Sequence, residues 1–392
     1  MSNAILHKCK VTVEQIIMNF FSIIPFQNTI LFESEGDFSD NSYAFYEYLR
    51  DNKYFEKKYR AIWLVDDTKN VKDGCVSVPK VTRYPMIRRL YYLSTSKYYF
   101  FDHCNILRGY RKREGQIIYN LFHGCTFKTT KGLVDKAKSP ESFLTVTGDF
   151  WTKIMADFVQ CDEKVVRTLG YPRNDYFFKD NTRTLKDWQS KNSWTEYDKV
   201  FLWMPTFRKS NSRDLSEDYY SGDTGLPILE KVVDLVDLNE KLKAQNALMV
   251  FKVHHLQSDY DAFKKSYSNI NILKDEDIIS CNAQLYQIVT LADILITDYS
   301  SISNDFLLLN RPMIFTLDDF EDYRNSRGFS VDDPSQYFPG YHVYNKKELL
   351  NAINELLDGK DLYLEDRMKM LPLMHKYTDG NSSKRIAEYV GL

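Results

Sequence analysis

The chain has 392 residues, of which 43% are hydrophobic and 27% are charged. This composition is typical of a folded globular protein, and the length predicts two domains. The 52 Lys and Arg residues nearly balance the 54 Asp and Glu residues, which argues against a nucleic-acid partner but not against a local basic groove. The six cysteines form no C-x-x-C pair, so we expect reduced thiols in a cytoplasmic protein rather than a zinc ribbon or disulfides.

The first segment, residues 1–28, combines helical periodicity with a basic start. Apolar residues recur at helical spacing from Val13 to Ile24, and Pro25 ends the run. The pattern predicts an N-terminal amphipathic helix that either packs against a neighbouring domain or lies flat on an anionic membrane. No run reaches the ~18–20 apolar residues of a spanning helix, and no secretory signal is present. Any membrane contact is therefore expected to be peripheral, on the inner face of the cell membrane.

Strands and helices alternate after Pro25. We predict strands at 29–33, 61–65, 75–78, 97–101, 117–122, 142–147 and 165–169, with helices at 42–50, at 83–93 and from about residue 150. Asp40 or Asn41 is placed to cap the helix at 42–50. The alternation predicts a mostly parallel, doubly wound sheet, and we assign residues 29–185 to this first Rossmann-like domain.

A second α/β series follows a polar segment, residues 179–198, where we place the linker. We predict strands at 200–204, 248–253, 270–273, 293–297 and 312–315, with helices at 229–243, at 283–291, at 302–309 and at the C-terminus. Residues 186–392 are assigned to this second Rossmann-like domain. Two similar α/β halves predict a cleft between them, and such clefts bind ligands.

Two histidines follow apolar strands, one in each half. His123 comes after the strand at 117–122, and His254 comes after the strand at 248–253. Ligands gather beyond the carboxyl ends of strands in open α/β sheets, and a histidine placed there can act as a general base near neutral pH. The alternative for each is a hydrogen-bonded structural histidine. One histidine in each half favours a shared site over two unrelated ones.

Asp298, Tyr299, Ser300 and Ser301 lie between a predicted strand and a predicted helix. Hydroxyls and free backbone N–H groups at a helix N-terminus form a phosphate site. The alternative is that Ser301 only caps its helix. The chain contains neither a P-loop nor a dinucleotide-binding fingerprint, so a nucleotide is expected to be held by other means.

Several basic residues are candidates for binding anions. Arg208, Arg324 and Arg327 can clamp phosphate oxygens in pairs, or they are ordinary surface arginines. Four lysines follow His123 in the sequence: Lys128, Lys131, Lys136 and Lys138. They form either a basic track for an anionic acceptor or a solvated face. No H-E-x-x-H motif and no carboxylate triad at metal spacing is present, so we expect no metal and no cofactor.

Taken together, the motifs resemble the CDP-glycerol glycerophosphotransferase family, which includes the teichoic-acid primases and polymerases. The resemblance extends from about residue 29 to the end, and the matching pieces occur in the family's order. They are Ser39-Asp40-Asn41, Phe122-His123-Gly124, Gly170-Tyr171-Pro172-Arg173-Asn174-Asp175, Pro205-Thr206-Phe207-Arg208, Lys252-Val253-His254, Thr297-Asp298-Tyr299-Ser300-Ser301, Tyr323-Arg324 with Arg327-Gly328, Pro339-Gly340, and Asp379-Gly380-Asn381-Ser382-Ser383-Lys384-Arg385.

This resemblance implies a GT-B architecture, in which two Rossmann-like domains face a cleft. It also implies transfer of an alditol phosphate from a CDP-alditol to a hydroxyl of a lipid-linked or polymeric acceptor, with release of CMP. Glycerol phosphate is the first expectation and ribitol phosphate the second. The product is expected to be a teichoic acid or a capsular polymer.

The resemblance also implies roles for single residues. His123 is expected to deprotonate the acceptor hydroxyl, and His254 is expected to contact the donor pyrophosphate. The expected donor-binding residues are Thr206, Arg208, Asp298, Ser300, Ser301, Arg324 and Arg327. The acceptor-side candidates are Asp40, Asn41, Lys128 and Lys131. Two other functions stay open: a sugar-nucleotide glycosyltransferase on the same fold, and a catalytically silent nucleotide-binding assembly subunit.

Overall fold

A computed structural model describes residues 3–69, 71–72, 74–80, 87–103, 107, 110–130, 141–206, 223–252 and 261–392. The chain divides into two compact units. The first unit comprises Met1–His123, Asp135–Phe178 and Lys376–Leu392, and the second comprises Gly124–Val134 and Lys179–His375. The predicted boundary after residue 185 thus differs from the division at Phe178. The last residues, predicted to lie in the second domain, belong to the first unit because Ile386, Ala387 and Val390 are buried in its core.

The described part of the first unit contains a seven-stranded parallel sheet. Its strands are β1 (Gln27–Glu33), β2 (Arg60–Val65), β3 (Cys75–Pro79), β4 (Ser96–Phe101), β5 (Ile117–Asn120), β6 (Phe143–Val146) and β7 (Val166–Thr168). Their order in space is β3-β2-β1-β4-β5-β6-β7, and neighbours pair in parallel. All seven predicted strands are found. The direction of winding reverses between β1 and β4, where open α/β sheets bind ligands.

The helices occupy the connections between strands. They are α1 (Asn3–Phe21), α2 (Asp40–Asp51), α3 (Tyr54–Lys57), α4 (Ile87–Thr95), α5 (Trp151–Val159), α6 (Thr182–Asn192), α7 (Val232–Ala244), α8 (Asp261–Lys264), α9 (Asp275–Ser280), α10 (Leu285–Val289), α11 (Ile302–Phe306), α12 (Phe320–Ser326), α13 (Lys346–Leu357), α14 (Leu364–Met374) and α15 (Ser382–Tyr389). The predicted cap of α2 is wrong, because Ser39 is its N-cap residue and Asp40 is already its first helical residue.

The segment predicted to be a linker, residues 179–198, instead contains α6. Leu185 and Trp188 lie one turn apart and are both buried. Trp188 also packs edge-on against Trp194, with ring centroids 5.5 Å apart. These two large apolar side chains form the buried face of α6. The helical spacing was not recognised in the sequence because the residues around them are polar.

Aromatic residues dominate the core beside β1. Phe32 stacks on Trp63 of β2 and on Phe100 of β4, with ring centroids 5.2 and 6.0 Å apart. All three side chains are fully buried, as expected for parallel strands that are covered on both faces. Burial of each such ring contributes about 1.5–3 kcal/mol. The sheet is therefore a stable platform for the loops at its carboxyl edge.

The N-terminal segment forms α1, which packs on α4. Its buried side contains Glu14, paired with Arg89 at 2.5 Å, and Met18. The apolar residues of its other side are exposed, with 47, 63 and 69% of their surface accessible for Val13, Ile16 and Phe20 respectively. The predicted helix is present. Its buried side includes the charged residue Glu14, whereas several of its apolar residues are exposed. No helix of the described residues is apolar over a length that could cross a membrane.

The second unit contains a six-stranded parallel sheet within the described residues. Its strands are β8 (Lys199–Met204), β9 (Ala247–Phe251), β10 (Ile270–Ile272), β11 (Ile294–Thr297), β12 (Met313–Thr316) and β13 (Tyr341–Val343). Their order is β10-β9-β8-β11-β12-β13, so the winding reverses between β8 and β11. β13 is not among the predicted strands, whereas β7 and β10, which are equally short, are. Two doubly wound parallel sheets confirm the predicted fold class.

Candidate functional site

Three loops meet at the carboxyl edge of the first sheet, at its reversal point. The loop after β1 carries Glu35, the loop after β4 carries Asp102 and His103, and the loop after β5 carries His123. The sheet places these loops side by side because β1 pairs with β4 and β4 pairs with β5. Residues that are far apart in the sequence thus form one polar cluster, which we call the histidine cluster.

His123 is held in one orientation by its ring nitrogen Nδ1. This atom lies 3.0 Å from the backbone carbonyl oxygen of Asp102. A carbonyl oxygen can only accept, so Nδ1 carries the proton and Nε2 keeps a lone pair. The side chain is partly exposed, and Phe122 before it turns the chain with a φ of 51°. The strand predicted at 117–122 ends at Asn120, because the positive φ of Phe122 is incompatible with an extended strand. His123 therefore lies in the loop after β5.

The backbone around His123 is fixed by residues from α2 and from the segment after β7. The side-chain amide nitrogen of Asn41 donates to the Phe122 carbonyl at 2.6 Å. The side-chain oxygen of Asn41 accepts from the backbone N–H of Arg173 at 3.0 Å. The Arg173 guanidinium donates to both oxygens of Asp40, at 2.8 and 2.9 Å, and to the His123 carbonyl at 2.8 Å. Asp40 and Asn41, predicted on the acceptor side, thus use these polar atoms to position the histidine loop.

The sequence interpretation gave no role to His103, which lies against His123. The two imidazole rings are stacked, with centroids 4.1 Å apart and planes 9° from parallel. Nδ1 of His103 lies 2.8 Å from the Asp102 carboxylate, and Nε2 lies 3.0 Å from the Glu35 carboxylate. The sequence feature that could have indicated His103 is the Asp102-His103 pair directly after the predicted strand at 97–101. Its proximity to His123 depends on strand pairing, which the sequence does not show.

The two stacked histidines have opposite pKa shifts. Burial works against the charge of His103, but the hydrogen bond and charge of Asp102, with Asp40 and Glu35, raise the pKa of His103 to about 9. Burial and the positive charge of His103 lower the pKa of His123 to about 3. At neutral pH the cluster therefore holds one imidazolium and one neutral imidazole. A neutral histidine with a free Nε2 is equipped to accept a proton.

The second sheet has its own polar group at the reversal point between β8 and β11. Asp298 is fully buried and accepts from the backbone N–H and the hydroxyl of Thr206, at 2.8 and 2.5 Å. The Thr206 hydroxyl in turn accepts from the Lys128 ammonium at 3.2 Å. Lys128 belongs to the segment 124–134, which is part of the second unit. Three predicted site residues are thus brought together here.

Ser300 and Ser301 follow this group and precede α11. Both are partly exposed, and α11 begins at Ile302. The Ser301 side chain makes no capping hydrogen bond within the described chain, which contradicts the alternative in which it only caps the helix. The Ser300 carbonyl accepts from the Ser303 hydroxyl at 2.9 Å. The serine hydroxyls therefore lie at the carboxyl edge of the sheet, beside buried Asp298.

The two arginines of the motif Tyr323-Arg324 with Arg327-Gly328 differ in their partners. The Arg324 guanidinium contacts both oxygens of Glu321, at 2.9 and 3.2 Å. For Arg327, the described residues supply no ion pair, and its buried Nε atom has no hydrogen-bond partner among them. Its backbone carbonyl accepts from the Thr129 hydroxyl at 2.7 Å. Arg327 is therefore the better candidate for an anion, and Arg324 is already neutralised by a carboxylate.

Three predicted site residues, Lys131, Arg208 and His254, lie outside the described residues. Their predicted roles stay predictions. Lys136 and Lys138 also lie outside.

Two further motifs form a contact inside the first unit. The Asp175 carboxylate accepts from the backbone N–H groups of Ser382 and Ser383, both at 2.9 Å, at the start of α15. The Arg385 guanidinium contacts both oxygens of Asp379 at 2.8 Å. The family motifs around Asp175 and Ser382 are thus joined, and they tie the C-terminal helix to the segment that also carries Arg173.

Comparison with known proteins gives a consistent result. The sequence model of the family CDP-glycerol:poly(glycerophosphate) glycerophosphotransferase matches residues 16–392. A teichoic acid poly(glycerol phosphate) polymerase of Bacillus spizizenii is 25% identical over 96% of this chain and 96% of its own length. A teichoic acid glycerol-phosphate primase of Bacillus subtilis is 27% identical over 67% of this chain and 61% of its own length. Other relatives are ribitol-phosphate primases and polymerases.

The fold is also found among solved structures. The wall teichoic acid polymerase TagF superimposes with a TM-score of 0.74 at 20% identity, over 99% of this chain and 96% of that chain. Fold and motifs together define an α/β transferase of two Rossmann-like units. The chain belongs to the CDP-glycerol:poly(glycerophosphate) glycerophosphotransferase family. The predicted family and the predicted enzyme class are confirmed.

Proposed function

We propose that the chain transfers an alditol phosphate from a CDP-alditol to a hydroxyl of a teichoic acid primer or polymer and releases CMP. The new bond joins the acceptor oxygen to the distal phosphorus of the donor. The bond that breaks joins this phosphorus to the bridging oxygen, which leaves with CMP. The hydroxyl proton passes to His123 Nε2. The observation that carries the proposal is the free Nε2 of a neutral histidine at the reversal point of the first sheet in a member of this family.

Charge stabilisation is the second requirement of phosphoryl transfer. Ser300, Ser301 and Arg327 are the proposed donor-binding groups of the second unit, because their polar side chains are not committed to capping or to an ion pair in the described chain. Thr206 and Asp298 position the loop beside them. His254 and Arg208 remain proposed contacts of the donor.

The donor alditol is proposed to be glycerol first and ribitol second. The relatives named above include enzymes of both kinds, so their names do not separate the two. The proposed acceptor is a lipid-linked or polymeric glycan. The proposed product is a teichoic acid, with a capsular polymer as the second possibility.

We place the protein at the inner face of the cell membrane through one side of α1. Val13, Ile16, Phe20 and Ile23 recur at helical spacing and are exposed, Ile23 by 79%. Such a stripe of apolar side chains along a surface helix is suited to the headgroup region of a bilayer. Arg111 lies beside it, because its backbone N–H donates to Gln15 at 2.8 Å, and its exposed cation suits anionic lipids.

The experiment that tests the function measures CMP release from the purified protein. CDP-glycerol and CDP-ribitol are offered separately with a membrane extract as acceptor, and UDP-sugars serve as the competing donors. We expect release from one CDP-alditol, and a loss of about 10²–10⁴-fold in the His123→Asn variant. Consumption of a UDP-sugar with no CMP release would instead support the glycosyltransferase alternative. CMP release by His123→Asn at the wild-type rate would overturn the assignment of the base.

A further inference from the structure

We propose that His103 is a positioning residue for His123. As a cationic ring held by Asp102, it fixes the plane of the His123 imidazole and keeps His123 Nε2 free of a proton. The proposal deepens the proposed function and rests on the role of His123 as the base. It assigns a task to a residue that neither the motifs nor the comparisons single out.

The charge of His103 follows from its partners. Each ring nitrogen faces a carboxylate oxygen, Asp102 Oδ1 at 2.8 Å and Glu35 Oε2 at 3.0 Å. Carboxylates accept and do not donate, so both nitrogens carry protons and the ring is an imidazolium. Asp102 is the stronger anchor because its side chain is fully buried, whereas 75% of the Glu35 side chain is exposed. Salt and water screen the outer pair much more than the inner one.

Asp102 connects the two histidines in a single geometry. Its carboxylate holds His103 and also accepts from the backbone N–H of Ser42 at 2.8 Å. Its backbone carbonyl accepts from His123 Nδ1 at 3.0 Å. One residue therefore sets the position of both rings, which lie 4.1 Å apart and nearly parallel. Neither ring can turn about its side-chain torsion without breaking a hydrogen bond to Asp102 or opening the stack.

Like charges at this distance disfavour one another. A proton on His123 Nε2 creates a second imidazolium against the first, so the unprotonated form of His123 is favoured. Two other charged groups face the pair, Asp40 and Arg173. One nitrogen of Arg173 contacts both oxygens of Asp40, so the charges of these two groups largely cancel. The positive charge of His103 is partly balanced by Asp102 and Glu35, and it still lowers the pKa of His123.

The consequence is a base that stays available in mildly acidic conditions. An isolated histidine is half protonated near pH 6.5. With the pKa of His123 lowered to about 3, the acid limb of the pH profile is expected to lie below pH 5. Without the charge of His103, the pKa of His123 is expected to rise, while burial still holds it below its ordinary value.

The test is an NMR titration of the imidazole nitrogens in the full chain labelled with ¹⁵N. The His123 signal is assigned by its absence from His123→Asn. In the wild type we expect His123 in the Nδ1–H tautomer with no titration between pH 5 and pH 8, and His103 as an imidazolium through that range. In His103→Asn, which keeps a donor to Asp102 but removes the charge, the pKa of His123 is expected to rise above its wild-type value, so that the start of its titration becomes visible toward pH 5. His103→Arg keeps a planar cation and is expected to leave His123 untitrated.

Kinetics give the second readout. The kcat/KM for CMP release is expected to stay level from pH 5 to pH 8 in the wild type and in His103→Arg. In His103→Asn it is expected to fall as the pH drops toward 5, because more of His123 is protonated there than in the wild type. Wild-type His123 that titrates near pH 6.5, or a titration that does not move in His103→Asn, overturns the proposal. The titration does not depend on turnover. If no CDP-alditol releases CMP, or if His123→Asn keeps full activity, the proposed function is contradicted while the titration result stands.

Discussion

The Nη1 atom of the Arg173 guanidinium contacts both carboxylate oxygens of Asp40, at 2.8 and 2.9 Å. Arg173 comes from the segment after β7 and Asp40 begins α2, so the pair joins two distant parts of the chain. The same guanidinium donates to the His123 carbonyl at 2.8 Å. The ion pair therefore sets the position of the loop that carries the proposed base.

Replacing Arg173 by Lys is expected to lower both activity and stability. In the arginine, Nη1 contacts Asp40 and Nη2 donates to the His123 carbonyl. A lysine keeps the charge but has a single nitrogen, so it cannot keep both contacts in this geometry. We expect the free energy of unfolding, measured by urea denaturation, to fall by about 2–3 kcal/mol, and the rate of CMP release to fall at least tenfold. Arg50→Lys is the matched control, because Arg50 lies on α2, the helix that begins at Asp40, and forms an exposed pair with Glu47. That variant is expected to lose less than about 0.5 kcal/mol. Equal effects of the two substitutions would contradict the positioning role.

Stability is expected to depend on pH through Asp40. Burial opposes its ionised form and is the largest single cause, but the charge and hydrogen bond of Arg173 together with the interactions of His103 and His123 outweigh it, so the pKa of Asp40 is lowered. A carboxyl whose pKa is lower in the folded state stabilises the fold above its unfolded pKa, and this contribution is lost as the pH falls through the folded value. Urea denaturation between pH 6 and pH 3 should therefore show a loss of stability that is smaller in Asp40→Asn. A parallel loss in both proteins would show that other groups are responsible.

Asp175 is expected to hold the C-terminal helix on the first unit. Its carboxylate accepts two backbone N–H groups of α15, and the helix buries Ile386 and Ala387 completely. Asp175→Asn leaves one of these N–H groups without an acceptor, and we expect a loss of about 1–3 kcal/mol. Limited proteolysis should then release the C-terminal peptide before the rest of the unit is cut. Asp180→Asn, at a fully exposed aspartate, is the control. Unchanged protection of the C-terminus in Asp175→Asn would mean that apolar burial alone holds the helix.

Thr206 is expected to act through Asp298. Thr206→Val keeps the shape but removes the hydroxyl that donates to Asp298 at 2.5 Å, so a buried carboxylate oxygen loses a partner. We expect a loss of about 1–2 kcal/mol in the free energy of unfolding and a rise in the KM for the CDP-alditol. Thr206→Ser keeps the hydroxyl and should stay close to the wild type in both. A raised KM in the serine variant as well would point to the methyl group instead.

Membrane binding is expected to depend on the exposed side of α1. Flotation with vesicles of anionic phospholipid should recover the wild type, and the double variant Ile16→Ser, Phe20→Ser should remain in the soluble fraction. Burial of these two side chains in the bilayer accounts for about 3–5 kcal/mol. Ile279→Ser, at a residue of the second unit that is 67% exposed, is the matched control and should float as the wild type does. Flotation of the double variant with the vesicles would contradict the proposal that α1 binds the membrane.

The sequence by itself determined most of the secondary structure. Continuous apolar runs such as those of β2 and β8 identify buried parallel strands, because no other short element buries both faces. The same local signals placed His123 and Asp298 at the ends of strands. The ordered motifs, including the one around Arg173, identified the family. Local patterning was less informative for α6, whose two buried residues are surrounded by polar ones, and it did not identify β13.

Only the tertiary structure decided which of these residues act together. The stack of His103 on His123 requires β4 and β5 to be neighbours, and the contact of Asp40 with Arg173 joins residues more than a hundred positions apart. The return of α15 to the first unit likewise depends on Asp175 and on a core that forms far from it in the sequence. Local sequence patterns specify backbone conformation and which faces are apolar, whereas strand order and long-range contacts are set by how those faces pack together. The candidate residues could therefore be predicted from the chain, but their partners, charges and orientations could not.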